Sequence, residues 1–250
     1  MIETLDHGPV RELRLARPPA NALDRALIEE LAARVRAAPA EGAGALVISG
    51  SPGMFSGGLD VPALLALDRE GVRALWRAFY DMMRALAASE VPVCAAITGH
   101  APAGGAVISI FCDHRIMADG PFRIGLNEVQ VGLVVPPVIQ YAARRLTGPG
   151  RGDALLVTGA LLSPREALAA GLVDEVCGPD EVVPRALAWA ERLVALPRAA
   201  MLETRRLARA DLVAQLEAVG EPAYEAVTER WFGEETQAAL RRVLERLGKK

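Results

Sequence analysis

An α/β fold with a helical C-terminal part is the class this sequence predicts, and three observations predict it. Two apolar strand patterns, "GALVISGS" and "VPVCAAITG", each lead into a glycine-rich turn and then a helical stretch. Strand and helix patterns alternate up to about residue 180, as layered α/β folds require. From Pro179 onward the periodicity is almost purely helical, with breaks at Pro197 and Pro222. The expected division is an α/β core over 1–180 and a C-terminal helical region over 181–250.

"PVRELRLARP" alternates as a strand does and is ended by Pro18-Pro19. "LDRALIEELAARVRAA" has helical period, with Asp24 placed to cap its N-terminus. The strand "GALVISGS" runs into the turn "FSGGLD", and residues 61–89 read as helix with a break near Gly71. The strand "VPVCAAITG" meets a second turn, "HAPAGGAVISIFCD", whose Gly104-Gly105 pair opens a short helix burying Val107, Ile108 and Phe111. "HRIMAD" and "PFRIG" are two short strands. "VPPVIQYAARRLTGPG" starts a helix at its proline pair and stops it at Gly148. "SPREALAAGLVDEVCGPDEV" reads as a helix, a Gly171 stop and a short strand.

Composition narrows the function. Apolar residues at 52% supply a large core, and aromatics at 4% argue against a base-stacking platform. A net charge of -3 with mixed signs suggests no polyanion partner. The only lysines are Lys249 and Lys250, which excludes a buried Schiff-base lysine. Cys94, Cys112 and Cys177 lie far apart without CxxC spacing and read as reduced core thiols. Three isolated histidines, His7, His100 and His114, form no metal pattern. With no signal-peptide layout and no membrane-length apolar run, the expectation is a soluble cytoplasmic protein with neither nucleic acid nor membrane as partner.

The two strand-to-glycine-turn junctions carry the chemical signal. Such a turn leaves backbone N–H groups free, and two converging turns can hold one carbonyl oxygen. Either turn alone also reads as an ordinary βα connection. Neither matches GxGxxG or a P-loop. Glu128 sits in "IGLNEVQVGL", a run otherwise apolar apart from Asn127 and Gln130. A carboxylate in apolar surroundings has a raised pKa and can exchange a proton with carbon near neutrality. Read structurally, it instead pairs with Arg115 or Arg123, or caps the turn at Val129; the segment leaves both readings open.

"FSGGLD", "AAITGHAPAGGAVISIFCDHRIMAD" and "IGLNEVQVGL" resemble, in order, the signatures of the crotonase (enoyl-CoA hydratase/isomerase) superfamily. "ALLSPREALAAGLVDEVC" is similar to its later helix–strand segment. The resemblance implies a spiral of ββα units, an acyl-CoA substrate whose coenzyme A is part of the substrate with no further cofactor or metal, and a homotrimer or dimer of trimers contacting through the C-terminal helices. It implies an oxyanion hole from the backbone N–H groups of Leu59 and Gly104, with Glu128 catalytic. Ser56, Gly58, Asp60 and Arg205 fall at substrate or coenzyme A positions; Asp60 also reads as a helix cap, and Arg205 as a solvated helix arginine.

One departure bears on the reaction. The family's hydratases carry a second glutamate three residues past the oxyanion-hole glycine, where this chain has Val107. One carboxylate suffices to take a proton from C2 of a 3-enoyl thioester and return it at C4. The chain therefore looks most like the mitochondrial-type Δ3,Δ2-enoyl-CoA isomerases. The alternatives are another crotonase-type acyl-CoA enzyme, such as a weak hydratase or a hydrolase, and a catalytically silent trimer that binds CoA esters.

Overall fold

The computed structural model describes residues 1–247. The chain opens with a hairpin of β1 (Ile2–His7) and β2 (Val10–Leu15), then α1 (Arg25–Ala37), β3 (Ala45–Ser49), β4 (Gly53–Met54), α2 (Val61–Leu65) and α3 (Arg69–Ala87). Next come β5 (Val93–Ile97), β6 (Gly99–Pro102), α4 (Gly104–Ile110), β7 (His114–Ala118), β8 (Ile124–Gly125) and a single 3-10 turn over Glu128–Val131. They are followed by α5 (Pro137–Thr147), α6 (Pro149–Thr158), α7 (Pro164–Ala170) and β9 (Glu175–Cys177). A short 3-10 turn leads into α8 (Val182–Val194), α9 (Arg198–Ala208), α10 (Ala210–Glu217), α11 (Glu221–Trp231) and α12 (Glu234–Leu247).

The larger sheet has the order β1-β2-β3-β5-β7-β9, parallel throughout except for the β1–β2 hairpin. A smaller parallel sheet has the order β4-β6-β8. Three times in succession, a strand of the large sheet is followed by a strand of the small one and then by helix. That repeat is the ββα spiral expected of the crotonase class.

Both faces of the large sheet's centre are covered, which is why β3 and β5 read as unbroken apolar runs. Leu46, Ile48, Ala95, Ile97 and Met117 face the main core with α1 and α3. Ala45, Val47, Cys94, Ala96, Ile116 and Ala118 face Val182, Ala186 and Ala190 of α8. The helical tail thus joins the core at several points: α8 covers the sheet, α10 and α11 lie on α3, and α12 lies on α2 and the 3-10 turn of Glu128.

Asp24 caps α1 as expected, its carboxylate accepting from Leu27 N–H at 2.8 Å. Other expectations are corrected. The break in residues 61–89 comes at Asp68, which caps α3, and Gly71 lies inside that helix. Gly148 ends α5 as expected, and another helix, α6, starts directly after it, with Pro149 in its first turn. β1 was not anticipated, because only Ile2 of its six residues is buried and the alternation is weak. The Asp113 carboxylate binds Arg205 and Arg209, and Arg115 binds Asp174 at 2.6 Å.

Candidate active site

The turn after β4 is tied down almost completely. Phe55 and Ser56 N–H donate to the His100 carbonyl, Gly57 N–H to Ala20, Gly58 N–H to Ser56 Oγ and Asp60 N–H to Leu23. Ser56 itself is fully buried and donates to the Asn21 carbonyl at 2.8 Å. Between these fixed neighbours, Leu59 N–H has no protein acceptor among the described residues. Backbone donors are nearly always paired in folded proteins, so this one is left available to an acceptor from outside the chain.

The turn before α4 meets it. Ala103 takes φ +45°, a region alanine rarely occupies, and its N–H donates to the Gly125 carbonyl at 2.8 Å. This twist places Gly104 at the first position of α4, where its N–H has no intrahelical partner. A Cβ on Gly104 would lie 3.2 Å from the Gly58 Cα and 3.4 Å from the Leu59 nitrogen. The two free N–H groups are therefore neighbours across a contact only glycine permits. Gly58, at φ +85°, makes the contact from its own side: a Cβ there would lie 3.2 Å from Gly104 N.

Glu128 comes from the third unit. β8 ends at Gly125, where a Cβ would lie 2.2 Å from the Ala160 carbonyl oxygen, and the chain then turns through Asn127 into the 3-10 turn. Gly132, at φ +74°, closes that turn, and Thr236 of α12 donates to its carbonyl at 2.6 Å. Glu128 is 9% exposed, and its Oε2 has no hydrogen-bond partner among the described residues. Desolvation pushes its pKa up to about 7, against a small opposing pull from its own backbone N–H. Among the described residues no arginine pairs with it, so the ion-pair reading does not describe its contacts.

The three units share one cavity of about 150 Å³. Gly57, Leu59, Gly104, Asn127 and Glu128 line it, with apolar walls from Val61, Phe79, Leu133 and Ile139. Trp76 adds an indole whose buried Nε1–H is unpaired among the described residues, as is the Asn127 Oδ1. Glu128 is the one carboxyl among these lining residues. Val107 lies in the closed core and does not line the cavity.

Other expected site residues take different places. Asp60 accepts from Ala63 N–H as the cap of α2 and binds Arg17 at 2.7 Å, so its cap reading describes its contacts. Arg205 lies away from the cavity. Its Nε sits 2.9 and 3.0 Å from the two Asp113 oxygens, and its Nη1 reaches the Ser89 carbonyl, so these groups are engaged within the chain. His100 accepts from Arg123 N–H and stacks edge-on against Phe122. Among the described residues, no three His, Cys, Asp or Glu side chains gather as metal ligands would.

Sequence reasoning missed Trp231, Leu240 and Val243, which line the cavity from α11 and α12. The only signal was an apolar helical period in the tail, which marks a buried face without naming what it covers.

Comparison with known proteins gives the same outline. The family described as enoyl-CoA hydratase/isomerase matches residues 7–247. Human mitochondrial enoyl-CoA delta isomerase 1 is 30% identical over 203 residues, which cover 80% of this chain and 67% of that protein. A probable enoyl-CoA hydratase of Mycobacterium avium is 34% identical over 190 residues, 76% of this chain and 74% of its own. The crystal structure of human mitochondrial Δ3-Δ2-enoyl-CoA isomerase superposes with a TM-score of 0.95 at 27% identity, covering 99% of this chain and 98% of that one.

Proposed function

This chain belongs to the enoyl-CoA hydratase/isomerase family of enzymes, and within it we propose that the protein is a Δ3,Δ2-enoyl-CoA isomerase. The observation that carries the reading is a single unpaired carboxyl, Glu128, in one cavity with two free backbone N–H groups.

In the proposed reaction the thioester oxygen of a 3-enoyl-CoA accepts from Leu59 and Gly104 N–H. Glu128 Oε2 removes a C2 proton, and the C–H electron pair enters a dienolate spread over the thioester oxygen, C2 and C4. The carboxyl then returns the proton at C4, leaving a C2–C3 double bond conjugated with the carbonyl. Atoms balance without water or cofactor. Each oxyanion donor contributes about 3 kcal/mol where charge develops, because the low-dielectric surroundings weaken it little. A carboxyl titrating at about 7 is well matched to giving back the proton it takes. Water addition needs a second proton-handling group, and the lining residues provide none.

The assembly that fits is a homotrimer or dimer of trimers. α9 buries none of its residues within the single chain, and Leu207 on it is 60% exposed, which supports a contact there.

Ultraviolet absorbance tests the reaction. With trans-3-hexenoyl-CoA the conjugated thioester band should grow, and Glu128→Gln should abolish that growth. Crotonyl-CoA in a parallel cuvette reports hydration; loss of its conjugated band at a comparable rate would establish the hydratase alternative, which the name of the M. avium relative keeps in view. Conjugation that continues unchanged in Glu128→Gln would refute the proton shuttle.

A further inference from the structure

The cavity is small for the fatty acyl chains an isomerase of this kind could meet. Its volume of about 150 Å³ equals that of a dry engineered cavity that holds one benzene. The reacting part of the thioester must share this space, because Gly57, Leu59, Gly104 and Glu128 line the same cavity as the apolar walls.

The inner walls are firmly held, while Val134 at the cavity's edge is 51% exposed. Trp231 and Leu240 are 1% and 0% exposed, so neither can swing into solvent. Gln237 Nε2 donates to the Trp231 carbonyl at 2.8 Å, and the Thr236 bond to the Gly132 carbonyl anchors α12 above the site. Trp76 and Phe79 brace each other edge to face, with ring centroids 5.6 Å apart. No methionine, the side chain that re-packs most readily, lines the cavity. The neighbouring void beside Gly125, Leu126 and Leu156 has a volume of about 10 Å³ and adds little room.

We propose that this protein selects short acyl thioesters, of about six acyl carbons by comparison with the benzene-sized cavity, and that Trp231 and Leu240 set the limit. The inference rests on the isomerase reading only for where the double bond lies; the size limit applies to any acyl group bound there.

Titration calorimetry of the full chain with butanoyl-, hexanoyl- and decanoyl-CoA tests it. An open tunnel would tighten binding about fourfold per added methylene. The expectation here is a gain from butanoyl to hexanoyl, then decanoyl weaker than hexanoyl by about fivefold or more, since an overfilled rigid pocket must shift its walls. Trp231→Leu and Leu240→Ala, two independent enlargements, should each relieve the decanoyl penalty. Decanoyl binding within about fivefold of hexanoyl, or tighter, overturns the proposal, as does a penalty that survives in both variants. Saturated thioesters undergo no proton transfer, so this result is separate from the absorbance assay. Length-selective binding without conjugation would sink the isomerase reading and leave the size limit standing.

Discussion

Burial pushes Glu128 up to about 7, so carboxylate and carboxylic acid coexist at neutral pH. The proposed shuttle starts from the carboxylate, and kcat/KM with trans-3-hexenoyl-CoA should therefore rise with pH through about 7 and then level off. Glu128→Gln should lower turnover by roughly a hundredfold to ten-thousandfold. The same shift links the site to stability. Unfolded, the carboxyl ionises near the ordinary 4.5; folded, near 7. Below the lower value both states hold the proton and there is no penalty; above the upper value the folded state bears all of it, about 3 kcal/mol. Glu128→Gln should accordingly melt higher than the parent at about pH 8, with the gap closing towards about pH 4.5. An equal gap at both ends would mean that the carboxyl titrates normally. The sequence located Glu128 and left its environment open, because the absence of an arginine partner is a fact of three-dimensional distance.

At the scale of elements, the proposed oxyanion hole depends on two turns meeting at Gly58 and Gly104. A methyl group on Gly104 would lie 2.8 Å from Leu23 Cδ1, which can yield, and 3.2 Å from the Gly58 backbone, which cannot without moving the turn. Gly104→Ala should cost about 1–3 kcal/mol of stability and lower kcat more than it raises KM, since the displaced N–H acts on charge that develops in the transition state. Equal effects on both constants would remove Gly104 from the hole. Val107→Glu is a contrasting case on α4. The position is sealed in the core, so a glutamate there should lower the melting temperature sharply, through an unpaired buried carboxyl, rather than add hydration of crotonyl-CoA. Both glycine turns were legible in the sequence, because a glycine pair between a strand and a helical period is a local signal. The exact break before α3 was not, since Asp68 as a cap competes with Gly71 as a breaker over a few residues.

Across the whole molecule, two packing regions divide the work. The core that holds Trp76, Phe79, Trp231 and Leu240 lies on one face of the large sheet, and α8 seals the other through Ala186 and Ala190. Small residues there let the helix approach closely. Ala186→Leu should overpack that contact by about 1–3 kcal/mol while leaving kcat unchanged, as read by thermal melting beside the absorbance assay. A matching loss of activity would show that the two faces are coupled.

The sequence by itself determined the α/β class, the two glycine turns and the position of Glu128. Each is written in neighbouring residues, where periodicity, caps and glycine freedom act within a few positions. Tertiary structure alone decided that Glu128 has no charged partner, that Arg205 is bound to Asp113, and that Trp231 and Leu240 close the cavity. Those outcomes join residues about a hundred positions apart, and which distant side chains meet is fixed by how helices pack, which no local pattern encodes.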